Sequence, residues 1–107
     1  MTKLVRSQSY FSDLIEIDNY ITLELLNPNA ALRIVLDIEA AVERLADFPE
    51  MGTEIKLSNG INSGLRYIVK EKYVIVYKVE EKEVHLYRVF DCRVDFVAKV
   101  MSMLGIK

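Results

Sequence analysis

Three arginines are the residues of this chain whose chemistry is easiest to interpret. Arg66, Arg88 and Arg93 lie in separate segments of the second half of the 107-residue sequence. A guanidinium can hold a phosphate or a carboxylate through two parallel hydrogen bonds, so three of them at one end of a sheet would form an anion site. The more common alternative is that each arginine pairs with a carboxylate of a helix. Their spacing leaves both interpretations open.

A histidine and a tyrosine could carry acid–base chemistry. His85 and Tyr87 are two residues apart in a predicted strand, so they share a face and could transfer protons together. A lone histidine in a strand is more often a packing or surface side chain. One histidine excludes a multi-histidine metal site, and one cysteine, Cys92, excludes an internal disulfide and a cysteine zinc cage. We expect Cys92 to be a half-buried small hydrophobe.

The sequence shows neither the Ser/His/Asp order of a catalytic triad nor a glycine-rich nucleotide-binding loop. Gly60 and Gly64 lie in a region of turn residues, but a Lys-Ser/Thr pair does not follow them, so a phosphate-binding loop is excluded. We expect no cofactor, no metal and no small-molecule ligand.

The stretch LRYIVKEKYVIVYKVEEKEVHLYRVF, residues 65–90, must position most of these side chains. Alternating apolar residues predict strands over 65–70, 73–79 and 84–90, joined by short charged turns at 71–72 and 80–83. The middle segment is apolar on both faces, which is typical of a central strand. The pattern therefore predicts an antiparallel three-strand meander.

The first half of the chain reads as a short strand, KLVRS, followed by two helices. A first helix is predicted over about 9–26, capped by Ser9 or Ser12, with Asp13 on its solvated face. Its predicted apolar face consists of Phe11, Leu14, Ile15, Ile21 and Leu25.

Asn27-Pro28 predicts the start of a second helix, since asparagine can cap it and proline fits its first position. This helix is predicted over 28–46 with its apolar stripe centred on Ala31, Val35, Ile38, Val42 and Leu45, widened by Leu32 and Ile34. The two helices would form an αα-hairpin. Residues 50–64 read as a loop.

A last helix is predicted after Asp91, which could cap it, and it would end at Gly105. Its apolar stripe is Val94, Val97, Met101 and Leu104. The fold class is therefore α+β: an N-terminal strand, a two-helix hairpin packed on the meander, and a C-terminal helix.

Bulk properties predict one domain over 1–107 and a cytoplasmic location. The hydrophobic fraction is 51%, yet charges interrupt every long window, and the N-terminus does not resemble a signal peptide. Net charge is −2, divided unevenly: residues 1–50 carry 4 Lys/Arg and 9 Asp/Glu, and residues 51–107 carry 10 and 7. An anionic partner on the sheet side is permitted, but a basic nucleic-acid stripe is not indicated.

Four words of sequence resemble the RelE/ParE family of bacterial type II toxins. They are DLIEIDNYI, NPNAALRIVLDIEAAVERLADFPEMG, LRYIVKEKYVIVYKV and VHLYRVFDCRVDF, which together span most of residues 9–100. The resemblance implies a toxin whose partner is a cognate antitoxin that wraps it. RelE-like members cleave mRNA on the ribosome, and ParE-like members poison DNA gyrase.

The sequence departs from the nuclease pattern of that family. Val74 stands where RelE-like nucleases often carry an arginine, the expected lysines reduce to Lys56, and FDCRVDF replaces the usual terminal residues. A net charge of −2 also argues against docking on ribosomal phosphates. We therefore favour a ParE-like toxin acting on gyrase, with Arg66, Arg88, Arg93 and Phe96 binding antitoxin or target.

The alternatives are a RelE-like mRNA interferase and a decayed toxin with no activity. In an interferase the three arginines would hold phosphates. Proton transfer would then fall to Asp91, His85 or Tyr87.

Overall fold

The computed structural model describes residues 2–57 and 59–105, which form a five-stranded mixed sheet with helices on both faces. The strand order is β1-β5-β4-β3-β2, with β1 parallel to β5 and all other pairs antiparallel. The strands are β1 (Lys3–Arg6), β2 (Thr53–Lys56), β3 (Asn62–Lys70), β4 (Tyr73–Glu80) and β5 (Glu83–Asp91). The helices are α1 (Gln8–Asn19), continued by a π-helical turn (Tyr20–Glu24), α2 (Pro28–Arg44) and α3 (Phe96–Met103). The predicted α+β class is confirmed.

The meander of β3, β4 and β5 is confirmed, with β4 in the centre of the sheet. Ile75 and Val76 point to opposite faces of β4 and both are fully buried. The two turns hold Glu71 and Glu81 at positive φ, 58° and 53°. That conformation is uncommon for residues other than glycine, and it lets two residues reverse the chain.

The region predicted as a loop over 50–64 contains a strand, so this prediction is wrong in part. β2 pairs with β3, which begins at Asn62 rather than at Leu65. Ile55 is the buried residue of β2, and a register shift interrupts the pairing between Glu54 and Lys56. A short edge strand with one buried residue has too little alternation to be recognised. Ser58 lies outside the described residues.

Helix α1 begins earlier than predicted and buries a different face. Ser7 is its cap, since its Oγ accepts a hydrogen bond from the Tyr10 N–H at 3.0 Å, so Ser9 and Ser12 are not the caps. The buried side chains are Tyr10, Asp13, Leu14 and Ile21, whereas Phe11, Ile15 and Leu25 are exposed. Placing Asp13 on the solvated face was therefore wrong.

The buried face of α1 differs from the predicted one because two polar residues, Tyr10 and Asp13, form hydrogen bonds on the inner side of the helix. Past Asn19 the chain widens into the π-helical turn, where the Leu25 N–H donates to the Tyr20 carbonyl five residues back.

Helix α2 follows the prediction closely. Asn27 Oδ1 accepts from the Ala30 N–H at 3.2 Å, and Pro28 occupies the first turn. Ala31, Ile34, Ile38, Val42 and Leu45 are buried against α1 and the sheet. Leu32, predicted to widen the apolar stripe, is exposed instead.

Helix α3 covers the other face of the sheet and starts later than predicted. Its cap is Asp95, whose Oδ1 accepts from the Ala98 N–H, and not Asp91. Val100 is its buried residue, beside partly buried Phe96. Leu104, part of the predicted stripe, is exposed. In the described residues, none of the helices is long and apolar enough to cross a membrane.

Candidate functional site

Arg88 on β5 is held by a buried carboxylate of α1. Its Nε–H and Nη2–H donate to the two oxygens of Asp13 at 2.8 and 3.0 Å, the bidentate geometry of a strong pair. The Val89 N–H donates to the same carboxylate at 2.8 Å. The hydrogen bonding of Arg88 to the Asp13 carboxylate raises the pKa of Arg88. The guanidinium also lies 4.8 Å from the centre of the Phe90 ring, within cation–π range.

Arg88 and Arg93 lie on one groove between α1 and the segment that leads from β5 into α3. The groove encloses about 430 Å³. Its charged lining residues are Arg88, Arg93, Lys99, Asp13, Glu16 and Asp91. Three cations and three carboxylates therefore face this groove, so its formal charge balances.

Arg93 is paired although its side chain is largely exposed. Its Nε–H and Nη2–H donate to the two oxygens of Asp91, both at 3.0 Å, and its backbone N–H donates to Asp91 Oδ1 at 2.9 Å. These hydrogen bonds hold the pKa of Asp91 below its usual value and raise that of Arg93. Asp91 thus orients Arg93 instead of capping a helix.

Arg66 does not join the other two arginines. It lines a separate groove with Glu50 and Glu54, where its Nη2–H donates to Glu54 at 3.3 Å. Its Nη1–H donates to the Gly52 carbonyl at 2.8 Å. The three arginines therefore do not converge, and of the two interpretations that the sequence left open, separate carboxylate partners describe them better. Only Asp13 among those partners is on a helix.

The loop over residues 49–52, to which Arg66 donates a hydrogen bond, is also hydrogen-bonded to Tyr77 in the core. The Tyr77 hydroxyl donates to the Pro49 carbonyl at 2.8 Å and accepts from the Gly52 N–H at 2.9 Å. A Cβ on Gly52 would lie 2.5 Å from that hydroxyl oxygen and 2.7 Å from the Tyr67 carbonyl, so this position requires glycine. Burial raises the pKa of Tyr77. Arg66 accordingly has a structural role in fixing this loop.

His85 and Tyr87 lie together but away from the arginine groove. Their rings stack with centroids 6.5 Å apart. His85 Nε2 lies 3.2 Å from Glu83 Oε1 and 3.8 Å from Glu80 Oε2. Tyr87 lines a different cavity, beside Lys78 and the end of α3. Neither residue is on the groove that holds Arg88.

The remaining predicted residues occupy the α3 side of the sheet or the surface. Phe96 packs on Tyr67 with ring centroids 4.9 Å apart. Val74 is 2% exposed in the core beneath α3. Cys92 is exposed, which corrects the expectation of half-burial. Across the described residues, no group of three potential ligands could hold a metal ion.

A partly buried polar network that joins β1, α1 and α2 was not predicted from the sequence. The Tyr10 hydroxyl donates to Glu39 Oε1 at 2.5 Å, and Arg6 Nη2 donates to Glu39 Oε2 at 2.9 Å. Burial and the adjacent Glu39 carboxylate raise the pKa of Tyr10 far above its ordinary value. No local signal marks these partners, because Tyr10 and Glu39 are 29 residues apart.

The chain is similar to known toxins in sequence and in fold. Residues 4–96 match the sequence profile described as "ParE toxin of type II toxin-antitoxin system, parDE". A solved structure titled "Chromosomal ParDE TA system from P. aeruginosa" superimposes with a TM-score of 0.67 at 26% identity, covering 85% of this chain and 96% of that one. Comparison with curated protein sequences gives no match. The profile spans well over half of the residues, so the chain belongs to the ParE toxin family of type II toxin–antitoxin systems.

Proposed function

We propose that this toxin inhibits growth by binding DNA gyrase and that a cognate antitoxin neutralises it by binding the toxin. The observation that carries the choice of target is the state of the three arginines. Arg66, Arg88 and Arg93 are each hydrogen-bonded to a carboxylate, so each already has an anionic partner. A nuclease that gripped mRNA with them would first have to break these pairs.

The cost of breaking them differs from one arginine to the next. Asp13 is 7% exposed and receives three hydrogen bonds, so removing Arg88 from it would leave a buried carboxylate without its cation. The Arg93–Asp91 pair is exposed and would be exchanged for a phosphate at little cost. Since net charge is −2, long-range attraction to RNA does not offset the cost at Arg88.

The position of Val74 supports the same target. RelE-like nucleases often carry an arginine there, and in this chain the side chain is packed in the apolar cluster under α3. His85 could carry nuclease chemistry, but it lies beside two glutamates and away from the arginine groove. A toxin that acts by binding a protein requires neither an arginine at position 74 nor a catalytic histidine.

We assign the gyrase-binding role to the Arg88–Arg93 groove and the adjoining start of α3, with Phe96. The groove combines charged groups of both signs with the apolar side chains of Ile17 and Val94. Mixed polar and apolar surfaces with arginine and aromatic residues are typical of protein interfaces. Arg66 lies outside this surface.

The test is to induce the toxin without its antitoxin and to measure DNA cleavage complexes trapped on gyrase. We expect such complexes to accumulate before translation stops. Arrested translation with cleaved mRNA and no trapped gyrase would contradict the proposal. An absence of growth arrest would indicate a decayed toxin. Arg93→Ala should weaken the gyrase effect, whereas Lys82→Ala on the opposite β4–β5 turn is the matched control and should not.

A second candidate, a RelE-like mRNA interferase, is favoured by the gathering of Arg88, Arg93 and Lys99 on one groove. In that case Asp91, which contacts Arg93 on the groove, is the one of the three predicted proton-transfer residues placed to accept a proton, because His85 and Tyr87 lie elsewhere. Primer extension on mRNA from induced cells decides between the two candidates. Position-specific cleavage that Arg93→Ala abolishes would support the interferase.

A further inference from the structure

The two walls of the arginine groove carry opposite charge. Helix α1 contributes two carboxylates to the lining, Asp13 and Glu16. The other wall runs from β5 into α3 and contributes three cations and one carboxylate, which are Arg88, Arg93, Lys99 and Asp91. The α1 wall therefore has a formal charge of −2, and the β5–α3 wall has a formal charge of +2.

Ion pairs within the groove cancel half of the charge on each wall. Both arginines of the groove are paired with its two aspartates, at 2.8 and 3.0 Å. In the described part of the chain, neither Glu16 nor Lys99 forms an ion pair. One unpaired carboxylate therefore remains on the α1 wall, and one unpaired ammonium remains on the β5–α3 wall.

Arg93 retains one edge of its guanidinium for a partner. Its Nε–H and Nη2–H bind Asp91 along one side of the planar group, and among the described residues its Nη1 has no hydrogen-bond partner. A guanidinium has five N–H groups, so the edge formed by Nη1 and the second Nη2–H can hold another carboxylate through two parallel hydrogen bonds. Asp91 fixes the orientation of this 78% exposed side chain, which reduces the entropy lost on binding.

The base of the groove is apolar, and its length suits a short stretch of protein. Val89 and Phe90 line the groove and are themselves largely buried, so they form its base. Along α1 the lining extends from Asp13 to Tyr20, a helical rise of about 10 Å. Three residues of an extended chain cover about the same distance. An apolar base with charged sides is typical of a surface that binds protein.

We propose that the arginine groove binds an extended segment of the target protein in which an acidic and a basic residue are neighbours. This inference rests on the proposed function, because the target is bound through the same groove. Lys99 and the unused edge of Arg93 hold the acidic side chain, and Glu16 holds the basic one. Neighbouring residues of an extended chain point to opposite sides, so one such pair meets both walls.

A nucleic-acid strand is the competing occupant, and it fits the charges of the groove poorly. Successive phosphates are all negative, whereas the groove has a formal charge of zero. A strand would also bring phosphates close to the unpaired carboxylate of Glu16. The two occupants therefore predict opposite effects of a positive charge at position 16.

The test measures two quantities for each variant: the toxin concentration that gives half-maximal DNA cleavage with purified gyrase, and growth inhibition at matched expression. Glu16→Lys should raise that concentration by about tenfold or more, because the basic side chain of the target would then meet a cation. Lys99→Glu should raise it to a similar extent, and the neutral Lys99→Gln should raise it less. Growth inhibition should weaken in the same order.

Asp18→Lys and Lys82→Glu are the matched controls, since they make the same changes of charge at exposed positions outside the groove. Asp18 lies on α1 like Glu16, and Lys82 lies in the β4–β5 turn. Both controls should act like the parent toxin. All variants should keep its circular dichroism spectrum and melting temperature.

Two results would overturn the proposal. One is a stronger toxin in Glu16→Lys, which is the outcome expected for a nucleic-acid strand. The other is an unchanged effect of either Glu16→Lys or Lys99→Glu. Growth inhibition does not depend on the identity of the target, so failure of the gyrase proposal is detected separately. Variants that lose growth inhibition as expected, while the parent toxin traps no gyrase, would support the chemistry of the groove and contradict only the target.

Discussion

On one face of the sheet, two helices enclose a cluster of fifteen buried apolar residues, whereas on the other face an eight-residue helix encloses a cluster of six in the described part of the chain. The hairpin face adds partly buried polar pairs: Arg6 and Tyr10 to Glu39, and Arg88 to Asp13. These pairs join β1, α1, α2 and β5, so they specify where the hairpin sits.

Helix α3 is held differently. Within residues 2–57 and 59–105, no side-chain hydrogen bond or ion pair links α3 to the sheet. Its contacts are apolar, led by Val100 and by Phe96 on Tyr67. Apolar packing without directional bonds stabilises but specifies position less. The position of the hairpin on the sheet is therefore the more strongly specified, and we expect α3 to open first.

The largest expected effect is in the core under α2. Ile38 is fully buried, so Ile38→Ala should lower the free energy of unfolding by about 3 kcal/mol through lost burial and a residual cavity. Urea denaturation measures the change. Leu32→Ala, on the exposed side of the same helix, is the control and should cost about 0.5 kcal/mol or less. A loss below about 1 kcal/mol for Ile38→Ala would contradict the assignment of the main core to this face.

The second effect concerns the Asp13–Arg88 pair, which joins the helical hairpin to β5. Asp13→Ala should lower the free energy of unfolding by about 2 kcal/mol, because it leaves the Val89 N–H and Arg88 without their acceptor. Partial exposure of Arg88 keeps the cost below that of a fully buried pair. Asp18→Ala, an exposed carboxylate on the same helix, should be nearly neutral. An equal loss of unfolding free energy in Asp13→Ala and Asp18→Ala would show that the Asp13–Arg88 pair does not stabilise the fold.

The third prediction tests α3. Phe96→Ala should lower global stability by about 1 kcal/mol, since the ring is only partly buried. Amide hydrogen exchange should show a larger effect within α3 than in α2, because α3 opens locally. If the α3 amides exchange only by global unfolding, α3 does not open locally, and the two faces of the sheet do not differ in local stability.

The fourth prediction concerns pH. The pKa of Tyr10 is raised in the folded protein, so the unfolded chain loses this proton first as pH rises. The contribution of Tyr10 is thus fully present below pH 10 and declines above it. Tyr10→Phe should cost about 1 kcal/mol at neutral pH and should flatten the fall in stability above pH 10. Parallel pH profiles of the two proteins, measured by denaturation, would contradict this role.

The meander and α2 could be predicted because their signals are local. Alternation of apolar residues determines the strands, and Asn27-Pro28 sets the start of α2. The face of α1 could not be predicted in this way. Burial of Tyr10 and Asp13 depends on Glu39 and Arg88, and Asp13 and Arg88 are 75 residues apart.

The candidate site was predicted only in part for the same reason. The sequence identifies Arg88 and Arg93 as candidates, but their common groove follows from the turn after β5 and the position of α1. The separation of Arg66 follows from β2, an edge strand whose single buried residue left no recognisable pattern.

The most direct test of the central claim is a cleavage assay with purified gyrase, supercoiled plasmid DNA, ATP and the purified toxin without antitoxin. We expect the toxin to convert plasmid to linear DNA once trapped complexes are denatured and digested, and we expect Arg93→Ala to weaken this conversion. Unchanged plasmid at saturating toxin, together with mRNA cleavage when ribosomes replace gyrase, would contradict it.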